Sequence, residues 1–275
     1  MDLHPSPVAP GPRRLATLAL HRRDSIGSAY HVLTFEADAP IHAAPGQFAM
    51  IRGATWGDAP LLPRPMSLLT GGDRPSILVK VVGEGTRRMA HASSGEPFSL
   101  LAPLGRPWSP CPDDHRPILV AGGVGVAPLI YLAREIAAHG ASMPRPFALY
   151  GGRTSADLPL HAELGAVTDL AIATEDGSRG EKGRVTVLLE ALLSRADRGK
   201  VKIYTCGPDA MMAAVAKMAA AHDVPCEVSL ETPMACGYGV CLGCPVPRRS
   251  GGYLYACTEG PCVDAAAIAW KEPSR

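Results

Sequence analysis

Four cysteines near the C-terminus, Cys236, Cys241, Cys244 and Cys257, follow the order C-x4-C-x2-C-x12-C. Three thiols on one short loop, with a fourth from a later turn, oblige the backbone between them to wrap something small. That spacing suits a plant-type [2Fe–2S] cluster, in which each thiolate supplies one ligand. The loop reads Met-Ala-Cys-Gly-Tyr-Gly-Val-Cys-Leu-Gly-Cys, and Gly237, Gly239 and Gly243 are expected to supply the positive-φ turns of such a wrap. Structural zinc is the competing reading, but zinc ribbons and fingers favour two C-x2-C-like pairs. A disulfide framework fits worse, since such frameworks belong to small secreted domains and this chain has 275 residues. The pattern points to electron transfer.

With 47% apolar residues, a chain of this length can bury the cores of two or three modest domains. Its formal charge of +1 leaves no large basic field to attract nucleic acid or an anionic membrane. Residues 1–12 are dense in proline and lack an apolar core for secretion, so a short disordered leader is expected there. The longest uncharged run, Pro117 to Ala133, is broken by Gly122, Gly123, Gly125 and Pro128, whereas a membrane helix needs about 20 apolar residues. No membrane span is expected, and unpaired cysteines fit a reducing cytoplasm.

Two rhythms divide the rest. Over residues 13–110, short apolar or alternating runs at Ala16–His21, His31–Glu36, Gln47–Ile51, Ser67–Leu69, Ile77–Val82 and Phe98–Leu101 are separated by Pro, Gly and Asp clusters. With one helix candidate at Thr86–Ala92, they predict a small antiparallel β-barrel. Over residues 111–230, strands expected at Ile118–Ala121, Phe147–Tyr150, Leu170–Thr174, Val201–Thr205 and Glu227–Leu230 alternate with helices at Pro128–Ala138, Thr186–Leu193 and Asp209–Ala221. That order predicts a parallel, Rossmann-like sheet covered by helices. Residues 231–275 are expected to form a small third unit that its metal helps to hold together.

The barrel carries Leu62-Pro63-Arg64-Pro65-Met66-Ser67-Leu68, where prolines can fix the backbone so that the guanidinium meets a phosphate. The same text can equally be a rigid strand entry. Downstream, Gly83-Glu84-Gly85-Thr86 opens a helix whose free N–H groups can accept a pyrophosphate. In the second unit, Ala121-Gly122-Gly123-Val124-Gly125-Val126-Ala127-Pro128 passes from strand to helix, a place for a dinucleotide or simply a tight packing turn. Tyr150-Gly151-Gly152-Arg153 and Tyr204-Thr205-Cys206-Gly207-Pro208 end strands that open into the same crevice. Cys206 is a candidate to pack against a nicotinamide ring, with a buried small residue as the plain alternative. Glu175 and Asp176 end another strand, where carboxylates can accept ribose hydroxyls and repel a 2′-phosphate.

Taken in order, these motifs resemble the ferredoxin reductase superfamily from Arg13 onward. The resemblance implies an FAD-binding barrel followed by a domain for a nicotinamide nucleotide, NAD(H). It implies that Arg64 holds the flavin phosphates, that Ser67 sits near the isoalloxazine, that Pro65 and Met66 between them also bind the cofactor, and that Gly85 and Thr86 line the pyrophosphate. Gly123, Gly125, Cys206 and Gly207 would line the nicotinamide nucleotide path. The C-terminal text, Glu231-x-x-Met234-x-Cys236 through Cys244 and then Cys257-x-Glu259-Gly260-Pro261, looks like the electron-transfer subunit of heterodimeric dihydroorotate dehydrogenase. That likeness implies an FMN-containing catalytic partner, a heterotetramer, and a place in pyrimidine biosynthesis. A free-standing reductase serving a ferredoxin or an oxygenase is the second reading, and a zinc-stabilised binding module the third. Two positions depart from the pattern. Cys262 is an extra cysteine that could compete with Cys257 as fourth ligand, and Arg179 stands where an aromatic is common, which leaves NADH against NADPH open.

Overall fold

The computed structural model describes residues 12–138, 144–195 and 199–271. The leader expected at residues 1–12 lies outside them except for its last residue. From Arg14 the chain forms β1 (Arg14–Ile26), β2 (Tyr30–Glu36), β3 (Phe48–Gly53), β4 (Arg64–Thr70), β5 (Ser76–Lys80), helix α1 (Glu84–His91) and β6 (Pro97–Leu104). The six strands pair antiparallel in the order β1-β2-β5-β4-β3-β6, and β6 returns to β1, so the barrel closes with no free edge. Alternation along β1 and β2 sends Leu18, Leu20, Leu33 and Phe35 inward. There the Phe35 and Trp56 rings meet Phe98 edge-on, with centroids 5.4 Å and 5.9 Å away. Helix α1 begins two residues before the expected Thr86. Its opening residue, Glu84, is well placed against the helix dipole and reaches forward to Arg87 at 2.7 Å and Arg88 at 3.0 Å.

The second half runs β7 (Arg116–Gly122), α2 (Val126–Ala138), β8 (Phe147–Gly152), α3 (His161–Val167), β9 (Asp169–Thr174), β10 (Glu181–Lys182), α4 (Val185–Leu193), β11 (Val201–Cys206), α5 (Asp209–Ala221) and β12 (Cys226–Ser229). The remaining strands are β13 (Pro245–Pro247), β14 (Tyr253–Tyr255) and β15 (Cys262–Asp264). The sheet order is β10-β9-β8-β7-β11-β12-β15. From β7 the chain winds outward to β10, then returns to β11 on the other side of β7. The direction in which strands are added therefore reverses between the parallel strands β7 and β11, at whose carboxyl ends a crevice opens in sheets of this kind. Helix α3, only seven residues long, has no counterpart in the sequence reading; it enters from Leu160, held at φ 56°.

The three units are not separate beads. Strand β15, from the cysteine-rich segment, pairs antiparallel with β12, Ser229 opposite Cys262, and so extends the preceding domain's sheet. Tyr131 on α2 donates a 2.6 Å hydrogen bond to Ala43 O in the barrel. The connection from barrel to sheet is clamped as well. Lys202 on β11 and Glu227 on β12 form a largely buried ion pair of 3.0 Å, and both hold the connecting segment, with Lys202 Nζ donating to Pro110 O at 3.1 Å and Ser109 N to Glu227 at 3.0 Å. Tyr204 OH donates to Ser109 O at 2.9 Å, and its ring meets Trp108 edge-on. No described helix is long and apolar enough to cross a membrane.

Candidate functional site

The cysteine loop packs on the outside of the barrel. Gly237, at φ 80°, sits so close to β3 that a Cβ would lie 2.3 Å from Met50 Cγ, so both its conformation and its contact demand glycine. Gly239 also has positive φ, but Gly243 does not; the left-handed residue is Leu242, at φ 55°. Gly243 instead brings its N–H to Cys241 Sγ at 3.4 Å. Cys241 N approaches Cys236 Sγ, and Cys257 N approaches Cys244 Sγ, each at 3.5 Å. Amides aimed at sulfur favour thiolate. Partial burial opposes ionisation of Cys236, but N–H groups of Cys241, Tyr238 and Val240 outweigh it and bring the thiol down to about 6. Cys257 is pushed up to about 12 by burial and by neighbouring Cys244, a cost that a coordinated metal removes by displacing the proton.

Among the described residues, no three His, Cys, Asp or Glu side chains converge as ligands of one metal ion would. The four thiols fall into neighbouring pairs, Cys236 with Cys241 and Cys244 with Cys257. Two thiolates for each of two irons is the donor set of a [2Fe–2S] centre, so these residues fit the group. Cys262 faces elsewhere. Its buried thiol is 3.6 Å from Gly46 O in the barrel and shares Ser229 with Cys206, whereas Cys257 feels Cys244 and Cys236.

A cleft of ≈ 370 Å³ lies where the three units meet. Phe48, Pro65, Met66, Ser67 and Leu78 come from the barrel, Val124 and Ala127 from the sheet, and Glu231 and Met234 from the run leading to Cys236. Mostly apolar walls with the hydroxyl residues Ser67, Ser229 and Thr232 and one carboxylate, Glu231, can take a flat, mostly apolar ring system. Arg64 opens β4, paired with Ile51, and its guanidinium crosses the start of α1; a Cβ on Gly85 would stand 2.2 Å from Arg64 Nε. Desolvation, and then Arg52, lowers the Arg64 pKa, so the pair would gain from a shared anion. The Thr86 hydroxyl is not free for a ligand. It accepts from Val82 N at 2.9 Å and Gly83 N at 3.1 Å and donates to Gly83 O at 3.0 Å, which shapes the turn entering α1.

A second cleft, of ≈ 380 Å³, opens at the carboxyl ends of β7, β8 and β11. Gly123 lines it, with Gly151 and Gly152 across the floor. Gly125, Cys206 and Gly207 lie behind the floor rather than along it: a Cβ on Gly125 would stand 2.4 Å from Cys206 O, so glycine there lets β7 and β11 close together. Cys206 is buried, its thiol raised far above the ordinary range by desolvation and by the charge of Glu231, whose Oε1 is 3.7 Å away. Glu231 is exposed along the first cleft, and desolvation of its carboxylate by the surrounding protein raises its pKa too. Of the two candidate ribose carboxylates, Glu175 lines the second cleft, while Asp176 is spent on its own turn, accepting from Ser178 N at 2.9 Å and Ser178 Oγ at 2.6 Å.

Residues 231–269 match the iron-sulfur cluster binding domain of dihydroorotate dehydrogenase B, and residues 119–217 match the oxidoreductase NAD-binding domain. A protein of Desulforamulus reducens named dihydroorotate dehydrogenase B (NAD(+)), electron transfer subunit, is 35% identical over 238 residues, 83% of this chain and 88% of that one. The subunit of the same name from Geobacillus kaustophilus is 35% identical over 231 residues, 82% of this chain and 86% of its own. The chain belongs to the family of dihydroorotate dehydrogenase B electron transfer subunits. A solved NADH-dependent reduced ferredoxin-NADP oxidoreductase, described for flavin-based electron bifurcation, superposes with a TM-score of 0.81 at 26% identity, over 93% of this chain and 90% of that one. The ferredoxin reductase of carbazole 1,9a-dioxygenase shares the fold, with a TM-score of 0.67 at 20% identity over 78% of this chain and 67% of its own.

Against that family background, the residues that the sequence reading missed are charged ones at cleft edges. Lys80, Asp157 and Arg184 line the second cleft. Lys80 Nζ lies 3.8 Å from Asp157 Oδ1, and Tyr30 OH donates to the same oxygen at 3.3 Å, so barrel and sheet meet through one carboxylate at the mouth. The available signal was position. Lys80 ends a strand just before the Gly83–Thr86 turn, where a cation can serve a phosphate.

Proposed function

We propose that this chain passes electrons between NAD(H) and a dihydroorotate-oxidising catalytic subunit, through FAD in the first cleft and a [2Fe–2S] cluster on Cys236, Cys241, Cys244 and Cys257. The observation that carries the reading is the first cleft itself. One wall comes from the nucleotide-side turn at Val124, another from the barrel at Ser67, and a third from Met234, two residues before the first cluster cysteine. A group seated there touches all three units at once. FAD supplies the exchange of a two-electron hydride for single electrons, and the cluster supplies single-electron conduction.

The chain's own residues bind, orient and exclude. Arg64 neutralises the flavin phosphates at the start of α1, with Gly85 giving it passage. Ser67 offers a hydroxyl to the ring edge, and Pro65 and Met66 wall off water. Gly123 lets the dinucleotide approach the end of β7, with Lys80 and Arg184 available to its phosphates and Glu175 to a ribose. By these assignments residues 13–110 are the flavin unit, 111–230 the nucleotide unit and 231–275 the cluster unit. The catalytic partner carries FMN and assembles with this chain as a heterotetramer. All eight cysteines are unpaired, which supports a reducing cytoplasm as the working compartment.

The test is division of labour. Anaerobically purified chain should contain FAD, two irons and two sulfides, and should reduce ferricyanide with NADH, but should not oxidise dihydroorotate. Transfer from dihydroorotate to NAD should appear only when the catalytic subunit is added. Zinc in place of iron, or dihydroorotate oxidation by the chain alone, sinks the proposal. Failure to bind or exchange electrons with the catalytic subunit leaves a free-standing ferredoxin-type reductase.

A further inference from the structure

Exposed apolar side chains on this chain are not scattered. Of the nine large hydrophobic residues exposed among those described, six lie on three neighbouring segments: Leu15 at the start of β1, Leu61 and Leu62 before β4, and Tyr238, Val240 and Leu242 on the cysteine loop. Leu15 and Val240 are each 71% exposed. A third cleft, of ≈ 470 Å³, lies between these segments, with Leu15, Leu62 and Tyr238 on its rim and Cys236 and Cys241 in its wall. Its barrel side is the outer face of β1, β3 and β6, where Leu15 pairs with Leu101 and Arg52 with Ser99. The flavin and nucleotide assignments use the other two clefts and leave this one without an occupant. Water-exposed leucines and valine gathered around the most exposed cluster cysteine mark a surface that is normally covered.

Charge narrows what covers it. Arg52 is the one charged residue lining this cleft. One of its terminal nitrogens donates to Gly57 O, and the residue is only half-buried in the cleft wall. An apolar rim around a half-buried cation is complementary to an apolar face that carries a carboxylate.

We propose that the outer barrel face at Leu15, Arg52 and Leu62, together with the cysteine loop, forms one docking surface for the catalytic subunit, whose matching face is apolar with a carboxylate set against Arg52. The inference rests on the functional reading above and adds that the barrel supplies half of the interface. Covering this face would bring the partner against the Cys236–Cys241 edge of the cluster, shut water out of the electron exit, and bury the leucines.

The experiment measures association of the FAD- and cluster-loaded chain with the dihydroorotate-oxidising subunit by calorimetry, alongside dihydroorotate-to-NAD turnover. Leu15→Glu and Leu62→Glu are compared with Tyr253→Glu, an exposed residue on the β13–β14 hairpin outside this surface. Each leucine variant should bind at least about tenfold more weakly, because a carboxylate is forced into an apolar contact, while Tyr253→Glu binds as wild type. Flavin and cluster absorbance and NADH-driven ferricyanide reduction confirm that each variant is loaded; Leu15 lies farthest along the chain from Arg64 and keeps the test decisive if Leu62→Glu loses flavin. Binding within about twofold of wild type for Leu15→Glu overturns the inference. So does a homodimer of the isolated chain that Leu15→Glu dissolves without weakening the heterologous complex. Arg52→Gln should weaken binding with an unchanged cluster potential; a shifted potential with unchanged binding assigns Arg52 to the cluster and overturns the carboxylate. If the unaltered pair never associates, the functional reading fails first, and this inference with it.

Discussion

Gly85→Ala separates flavin binding from stability and does so with opposite signs. Gly85 lies in the first turn of α1, where its missing Cβ leaves room for Arg64: the added carbon would stand 2.2 Å from Nε, 2.4 Å from Cζ and 2.7 Å from Nη2. All three atoms belong to the far end of a flexible side chain, so the fold yields by swinging Arg64 away rather than by moving backbone. Alanine also suits a helix better than glycine by about 0.5–1 kcal/mol. The variant should therefore be as stable as wild type or slightly more so. Its flavin should suffer, because a guanidinium displaced from the phosphates forfeits charge-assisted hydrogen bonds worth about 2–3 kcal/mol, about 30- to 150-fold in Kd. Flavin release is measured by fluorescence of the diluted protein, and stability by thermal unfolding with and without added FAD. Arg64→Ala should show the same loss of affinity, and combining the two should add little, since both remove one contact. An FAD Kd within about threefold of wild type in Gly85→Ala refutes the reasoning. Equal retention in Arg64→Ala would mean that the phosphates do not lie over α1 at all.

Single Cys→Ser replacement at 236, 241, 244 or 257 should abolish or destabilise the cluster absorbance, whereas replacement at 111, 206, 226 or 262 should leave it intact; loss at 262 with retention at 257 would reverse the fourth ligand. Glu227→Gln strands the buried Lys202 ammonium and should cost about 3 kcal/mol, read as a fall of several degrees in the thermal midpoint. The Lys202→Met/Glu227→Leu pair should recover most of that loss, and a single-variant loss under about 1 kcal/mol would show that the connection is not held by this ion pair. NADH should reduce the flavin faster than NADPH. Because Glu175 is the candidate ribose carboxylate that lines the second cleft, Glu175→Gln should narrow the difference by about tenfold, and anaerobic stopped-flow rates with both nucleotides decide it.

What the amino-acid sequence determined by itself was local in the chain. The Cys236–Cys244 spacing is read within one loop, which carries three thiols in nine residues. The alternation of β1 and β2 and the glycine turn after β7 are likewise written in a few consecutive residues, because strand period and turn chemistry act over that range. Barrel and parallel sheet followed from those rhythms.

Everything set by register between distant strands stayed hidden. That β15 would extend the nucleotide sheet and carry Cys262 to Gly46, 216 residues away, depends on β12 pairing with β15, and no local pattern encodes that partner. Leu15, Leu62 and Tyr238 each read as an unremarkable residue, and only the closed barrel with the cysteine loop laid against Met50 brings them to one cleft. Asp176 looked as available as Glu175 until the turn folded its carboxylate back onto Ser178. The Thr86 hydroxyl likewise has its hydrogen bonds spent on the Gly83 turn. Residue type states what chemistry a side chain can do; whether its hydrogen bonds are already spent is decided by neighbours that only the tertiary structure brings within 3 Å.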